Sequence, residues 1–371
     1  MQKKKVAIIT NIPSPYRVDF FDFLQKNYGD YEFFIIYSNR QNKSRQWHID
    51  ESKMNNYTYL KSKRIKIKYR YDDRDIIISY GVEKVLKKYA PDVVVSMEYN
   101  VTSLFAMHWC KKTGTKYISW TDGTLHSERN IGKLQKIFRK YIVSRADAFI
   151  GSSTKSQETQ IAYGAEKKDC FISYLTVDID KYIHKKTAYS NKKLVYVGGM
   201  IQRKGLDLLL PAIALTREDI TLDIVGNGAE KEELEAQAKK LGIENRIRFR
   251  GFLEGEELRR CYAESDAFVL PTREDCFGLV ILEAMCAGLP VIASKYADGA
   301  YDLIEEGRNG CIADPYDAKA FAQAIETVLE SPEKTRELGS YGYSRIEDFR
   351  FQEVAKGYLA AIDYAINKME A

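Results

Sequence analysis

The sequence predicts an α/β protein built from two doubly wound parallel-sheet units in series. Three observations carry that expectation. The 371 residues leave room for two domains. Short apolar runs alternate with helical stretches, the order that builds a parallel sheet covered on both faces. The alternation stops after residue 176 and restarts at Lys193, so the pattern is laid down twice.

With 45% hydrophobic and 29% charged residues, the composition is that of a globular protein and excludes a disordered one. No apolar run approaches the roughly eighteen residues that span a bilayer. The opening stretch is basic and then apolar, but its apolar part is too short for a signal peptide and reads as a first strand. Cysteines at 110, 170, 261, 276, 286 and 311 are scattered, with no Cys-x-x-Cys pair. Neither a disulfide framework nor a zinc site is expected, and a reducing cytoplasm fits.

The net charge of +5 hides an asymmetry. Residues 1–190 hold 34 Lys+Arg against 20 Asp+Glu, and the remainder 23 against 32. A basic half suggests an anionic partner. Residues 61–70 concentrate the charge, with Lys61, Lys63, Arg64, Lys66, Lys68 and Arg70 in ten positions. An anionic membrane leaflet attracts such a run, and a solvated lysine-rich face needs no partner. Peripheral contact with the inner face of a membrane is expected, and nucleic acid is not.

In the first half, runs at 6–10, 33–37, 92–97, 117–120 and 148–150 read as strands, with helical stretches at 82–89, 103–112 and 134–144. Ligands of such sheets bind beyond the carboxyl ends of the strands. Four loops fall there. Asn11 to Arg17 carries two prolines, Tyr16 and Arg17; Pro15 also suits the start of a helix. Glu98-Tyr99-Asn100 follows the third strand, and Thr121 to His126 the fourth, offering Asp122 and His126. Gly151-Ser152-Ser153 reads as a helix N-cap. Residues 177–191 lack apolar periodicity and read as a linker.

In the second half, strands are expected at 193–197, 221–225, 247–249, 267–270 and 291–293. Glycine-rich loops follow three of them: Gly198 to Gly205 with Arg203 and Lys204, Gly226-Asn227-Gly228, and the loop around Gly299. After 267–270 comes Pro271 to Gly278, then a helix that ends at the Gly288-Leu289-Pro290 stop signal. A strand feeding a helix through a short loop offers unpaired backbone N–H groups to an anion. Phe277, Gly278, Leu279 and Val280 occupy that start, bracketed by Asp275 and Glu283. An amphipathic helix closes the chain from about residue 351.

The run from Asp275 to Met285 resembles the signature of retaining nucleotide-sugar glycosyltransferases of family 4. Phe277-Gly278 and Glu283-Ala284-Met285 match directly. The first acid of the family falls on Asp275, with Glu274 one residue earlier as the alternative. Lys204-Gly205 matches the family's diphosphate clamp; the clamp's arginine is Gly199 here, and Arg203 is the substitute.

The resemblance implies the GT-B fold, two Rossmann-like domains facing each other across a cleft. The domains would cover 1–176, for the acceptor, and 192–350, for the nucleotide sugar, with 351–371 returning to the first. It assigns Asp275, Glu283, Arg203, Lys204 and His126 to catalysis. Gly198, Gly199, Gly226, Gly228, Glu274, Phe277, Gly278, Leu279, Val280 and Gly299 fall to the donor. Tyr16, Arg17, Glu98 and Asp122 fall to the acceptor side. The donor would be a UDP- or GDP-sugar and the acceptor a glycan or lipid-linked glycan, as in bacterial surface-polysaccharide assembly. No cofactor or metal is expected, because Arg203 and Lys204 supply the positive charge; Asp178-Ile179-Asp180 spells a metal motif, but in the linker. The competing readings are an inactive sugar-nucleotide binder and a sugar-nucleotide epimerase of the same fold.

Overall fold

The computed structural model describes residues 3–40, 49–68, 71, 73–184, 186, 188–190 and 192–368. Tyr69 and Arg70 of the basic run, Lys185 and Asn191 of the expected linker, and the chain's last three residues lie outside them. The chain divides into two compact units: residues 1–68, 73–178 and 350–371, and residues 69–72 with 179–349.

The first unit opens with β1 (Lys4–Thr10), whose β-branched residues are buried between two layers. Ser14 then leads into α1 (Pro15–Asn27), with proline at the first helical position, where its missing N–H costs nothing. Next come β2 (Tyr31–Tyr37), β3 (Tyr57–Tyr59), β4 (Lys61–Lys68), β5 (Asp73–Tyr80), α2 (Val82–Tyr89), β6 (Val93–Met97), α3 (Val101–Thr113), β7 (Lys116–Thr121), α4 (Lys133–Val143), β8 (Ala148–Gly151), α5 (Thr154–Ala162) and β9 (Cys170–Ile172). Asn100 and Ser153 cap α3 and α5, each accepting a backbone N–H of its helix. The seven-stranded sheet runs β3-β2-β1-β6-β7-β8-β9, every pair parallel. The strand order reverses between β1 and β6, so the loops after β1, β6 and β7 share one edge.

Strands β4 and β5 form a separate antiparallel hairpin. The basic run is therefore a strand, with Lys63 opposite Ile78 and Ile65 opposite Ile76.

The second unit holds β10 (Lys193–Val197), α6 (Leu206–Ala214), β11 (Thr221–Val225), α7 (Lys231–Lys240), β12 (Ile247–Gly251), α8 (Gly255–Ala263), β13 (Ala267–Leu270), α9 (Leu279–Cys286), β14 (Val291–Ser294), α10 (Ala300–Leu303), β15 (Gly310–Ala313), α11 (Ala318–Val328) and α12 (Pro332–Arg345). Its sheet runs β12-β11-β10-β13-β14-β15, all parallel, with the reversal between β10 and β13.

Of the expected linker, 177–191, the described residues from Ile179 on belong to this unit. Tyr189 donates its hydroxyl to Gly288 O at 2.8 Å, and Ser190 donates N–H and hydroxyl to Asp266. The last helix, α13 (Phe351–Asn367), belongs to the first unit. Its apolar face of Val354, Tyr358, Ala361 and Ile362 packs in one core with Ile8, Val95, Ile118 and Ile150. Among the described residues no helix is long and apolar enough to cross a membrane.

Candidate active site

The second unit builds its site where β10 and β13 lie side by side. Both loops leave the same sheet edge, and side chains tie them together. Arg203 donates Nη1 to Glu274 O at 2.9 Å, and Arg203 O accepts from Arg273 N at 2.8 Å and Thr272 Oγ1 at 2.9 Å. Arg273 grips Asp207 with two bonds, of 2.7 and 2.6 Å, a bidentate geometry that fixes both partners. Lys204 Nζ donates to Asp275 Oδ2.

Asp275 is then pinned by the loop after β14. Its N–H reaches Tyr296 O at 3.0 Å, and its carbonyl accepts from Asp298 N at 2.9 Å. Burial works to raise the Asp275 carboxyl, but the charges of Lys204 and Arg203 override it and hold it below the usual carboxylate range. Asp275, not Glu274, meets the lysine; Glu274 is buried, with its carbonyl held by Arg203.

Helix α9 starts from Gly278 in the left-handed region, φ 78°, with no side-chain cap and no acid in its first turn. Ile281 N turns back to Gly278 O at 2.8 Å, and the N–H groups of Leu279 and Val280 ahead of it have no side-chain cap, a ready anion site. Leu279 and Val280 are half-buried there, Phe277 is buried behind, and Gly299 lies under the Phe277 carbonyl. Further along α9, Glu283 accepts from the hydroxyl of Tyr262 at 2.9 Å. Burial pushes its carboxyl up to about 7, against the opposing pull of the Tyr262 and Tyr182 hydroxyls.

The glycines after β10 and β11 stack backbone on backbone. A Cβ at Gly226, φ 134°, would lie 2.0 Å from Gly198 O, and one at Gly228 2.0 Å from Met200 O. Gly199, where the resemblance places an arginine, would set a Cβ in ordinary van der Waals contact, its nearest neighbour Asn227 O at 3.7 Å. Gly226→Ala is expected to cost about 3 kcal/mol or more, and Gly199→Ala less than about 0.5 kcal/mol. Urea unfolding midpoints of the two variants check this.

In the first unit the loops after β1, β6 and β7 converge on one buried network. Arg17, on α1, donates Nη2 to Asp122 Oδ2 at 2.6 Å, and its guanidinium lies 4.4 Å above the Trp120 ring. Burial works against that charge, but Asp122 raises the guanidinium's pKa above its ordinary value. Asp122 Oδ1 accepts from Ser152 Oγ, which itself accepts from Trp120 Nε1 at 2.9 Å. Glu98 completes the set, accepting from Asp122 N at 2.9 Å and Thr121 Oγ1 at 3.0 Å.

Glu98 is one of three non-glycine residues among those described with positive φ, at 64°, a conformation that costs free energy and is held by its surroundings. Burial and then the charge of Asp122 push its carboxyl up to about 7. Arg17 Nη1 and Ser14 Oγ are buried without a hydrogen-bond partner. Arg17→Ala would strand the Asp122 carboxylate and is expected to cost about 3–5 kcal/mol, read as a drop in the urea midpoint.

The sequence-predicted residues thus fall into two groups. Arg203, Lys204, Glu274, Asp275, Phe277, Gly278 and Gly299 come together in the second unit; Glu283 lies one and a half turns along α9. Arg17, Glu98 and Asp122 come together in the first, with Tyr16 beside Arg17. His126 sits in the turn after Asp122, half-buried, its carbonyl held by Arg129. Sequence reasoning gave Ser152 only a helix-cap role and missed Arg273, Asp207 and Tyr262. Arg273 was findable, since it closely follows a strand end.

Two doubly wound parallel-sheet units in one chain, each with its polar residues at the point where strand order reverses, define the GT-B class of glycosyltransferase folds. The Anabaena protein HepE, solved in complex with UDP, superimposes with a TM-score of 0.80 at 20% identity, covering 97% of this chain and 99% of that one. Residues 178–345, just under half of the chain, match the family described as Glycosyl transferases group 1.

Glycogen synthase of Mycobacterium tuberculosis is 27% identical over 282 residues, 73% of this chain and 66% of the relative, just under two thirds of its length. The lipopolysaccharide core biosynthesis glycosyltransferase LpsE of Rhizobium meliloti is 30% identical over 164 residues, 44% of this chain and 47% of the relative.

Proposed function

We propose that this chain is a retaining transferase of family 4. It would move a sugar from a UDP- or GDP-sugar to a glycan or lipid-linked acceptor in the assembly of bacterial surface polysaccharide. The observation that carries this reading is the cluster of Arg203, Lys204 and Asp275 beside the uncapped first turn of α9. Two cations and the uncapped N–H groups of Leu279 and Val280 suit a diphosphate. HepE is a complex with UDP, and LpsE is a transferase of lipopolysaccharide core biosynthesis; both agree with the reading.

In the transfer, the bond between the anomeric carbon and the β-phosphate oxygen breaks and leaves negative charge on that oxygen. Lys204, Arg203 and the α9 amides stabilise the charge as it grows, so no divalent metal or other cofactor is called on. The acceptor oxygen bonds to the anomeric carbon on the face the phosphate leaves, and its proton passes to the departing phosphate oxygen. Asp275 holds hydroxyls of the transferred sugar, and Glu283 those of the ribose. Arg17 and Ser14 offer free donors on the acceptor side, and His126 positions the acceptor. The enzyme would work at the cytoplasmic face of a membrane.

Incubation with a panel of UDP- and GDP-sugars, with and without Mg²⁺, tests this reading. One donor should be consumed without metal, and the product's anomeric configuration should equal the donor's by NMR. Inversion would overturn the retaining reading, and no turnover with any donor would overturn the enzymatic one and favour the inactive binder.

A further inference from the structure

Helix α4 carries an exposed apolar stripe; at its far end the Arg145 guanidinium lies 3.7 Å from the Tyr141 ring centroid, and the Tyr141 hydroxyl meets His108 Nε2 at 2.9 Å. Leu134 is 82% and Ile137 62% exposed, the two most exposed large hydrophobic side chains among the described residues, and Tyr141 follows at 36%. The spacing 134, 137, 141 puts all three on one face. Leu125, in the turn before the helix, adds a further side chain 52% exposed. The opposite side of α4 is anchored, with Ile142 and Val143 in the core.

Beside the stripe runs a row of exposed cations, Lys133, Lys136 and Lys140. The helix has no acidic residue, and none occurs between Glu128 and Asp147.

We infer that α4 is the element that seats the protein on an anionic lipid bilayer, with Leu134, Ile137 and Tyr141 entering the headgroup boundary and the three lysines meeting lipid phosphates. An exposed apolar stripe edged by lysines is what an interfacial helix needs. Charge decides against self-association, since a two-fold contact through this stripe would bring the lysine rows of two copies together. It also decides against the basic hairpin as the principal contact. In β4 the side chains alternate, so Lys63 and Ile65 lie on one face and Arg64 and Lys66 on the other. A plane can meet only half of them.

The inference rests on the reading of a membrane-bound acceptor, and it gives that acceptor a way in. Arg139 of α4 holds Glu128 through Nε with bonds of 2.7 and 2.8 Å, and Tyr163 donates its hydroxyl to the same carboxylate. Glu128 closes the turn that begins at Asp122. A bilayer-seated α4 thus holds the acceptor-side loop at a fixed height above the lipid.

The test is co-sedimentation of the full chain with vesicles of phosphatidylcholine alone or with about 30% phosphatidylglycerol, an anionic surface of the kind that attracts lysines, alongside consumption of a soluble donor. Wild type should bind the anionic vesicles and lose binding as salt rises. Lys133→Glu/Lys136→Glu/Lys140→Glu should weaken partition by about a hundredfold. Leu134→Asp/Ile137→Asp should abolish it. Both should keep donor turnover, and Lys63→Glu/Arg64→Glu/Lys66→Glu should bind more tightly than either.

Failure of wild type to bind, equal binding to neutral vesicles, or loss only in the hairpin variant would overturn the assignment. So would a concentration-dependent dimer that Leu134→Asp/Ile137→Asp dissociates. Donor turnover in the variants separates failure of this inference from failure of the enzymatic reading.

Discussion

Lys204→Ala is expected to lower kcat/KM for sugar transfer by about a hundred- to a thousandfold, the loss seen when one fixed donor to a developing oxyanion is removed. Two effects combine. The leaving phosphate loses a cation, and the Asp275 carboxylate, held charged mainly by Lys204 and then Arg203, loses its strongest partner. Asp275 then drifts toward protonation and holds the sugar less well. Thermal unfolding should fall as well, since Asp275 is only 16% exposed and loses its main partner, so rates are read at a temperature where the variant is folded. Initial rates of nucleoside diphosphate release check the prediction. A rate within about threefold of wild type, less than the loss of one hydrogen bond to a charged group, would remove Lys204 from the site.

Glu283 gives the second large effect, and it has a pH signature. Its carboxyl titrates at about 7 because burial outweighs the two tyrosine hydroxyls. As a carboxylate it accepts ribose hydroxyls; as the acid it must first give up a proton. Nucleotide affinity should therefore rise roughly tenfold per pH step below 7 and level off above it. Glu283→Gln should bind roughly ten- to a hundredfold more weakly at pH 8 and lose that dependence. Titrations of nucleotide across that pH range check both statements.

Stability should run the other way. The folded state holds a proton that the unfolded chain releases near pH ~4.3. Glu283 therefore makes the fold less stable as pH rises from about 4 to 7, with no further change above. Glu283→Gln should flatten that decline. Comparing variant with wild type isolates it from Glu98, which titrates in the same window.

Much of this site is legible in the sequence alone. Buried strands such as Ala267–Leu270 announce themselves as apolar runs, and a parallel sheet gathers the loops that leave those runs at one edge. That is why Lys204, Asp275 and Gly278 could be picked out. Helix starts marked by Pro15 and Ser153 were legible for the same local reason.

The rest depends on partners distant in sequence. Tyr262 meets Glu283 because α8 lies beside α9, and nothing in its own neighbourhood says so. The strand character of Lys61–Lys68 was hidden because Ile65 stays exposed and joins no core face. The segment 179–190 looked like a linker because single side chains, Tyr189 and Ser190, attach it rather than a periodic face. Glu98 was named for its position after β6, but its left-handed backbone is imposed by the network around Asp122.

A diphosphate site at the junction of β10, β13 and α9 is tested most directly by isothermal titration of UDP and GDP into the metal-free full chain, with Lys204→Ala and Glu283→Gln in parallel. One of the two nucleotides should bind at a single site, and each variant should weaken it at least about tenfold, the loss of one charged hydrogen-bond partner. Absence of binding to wild type, or equal affinity in all three proteins, would contradict that site.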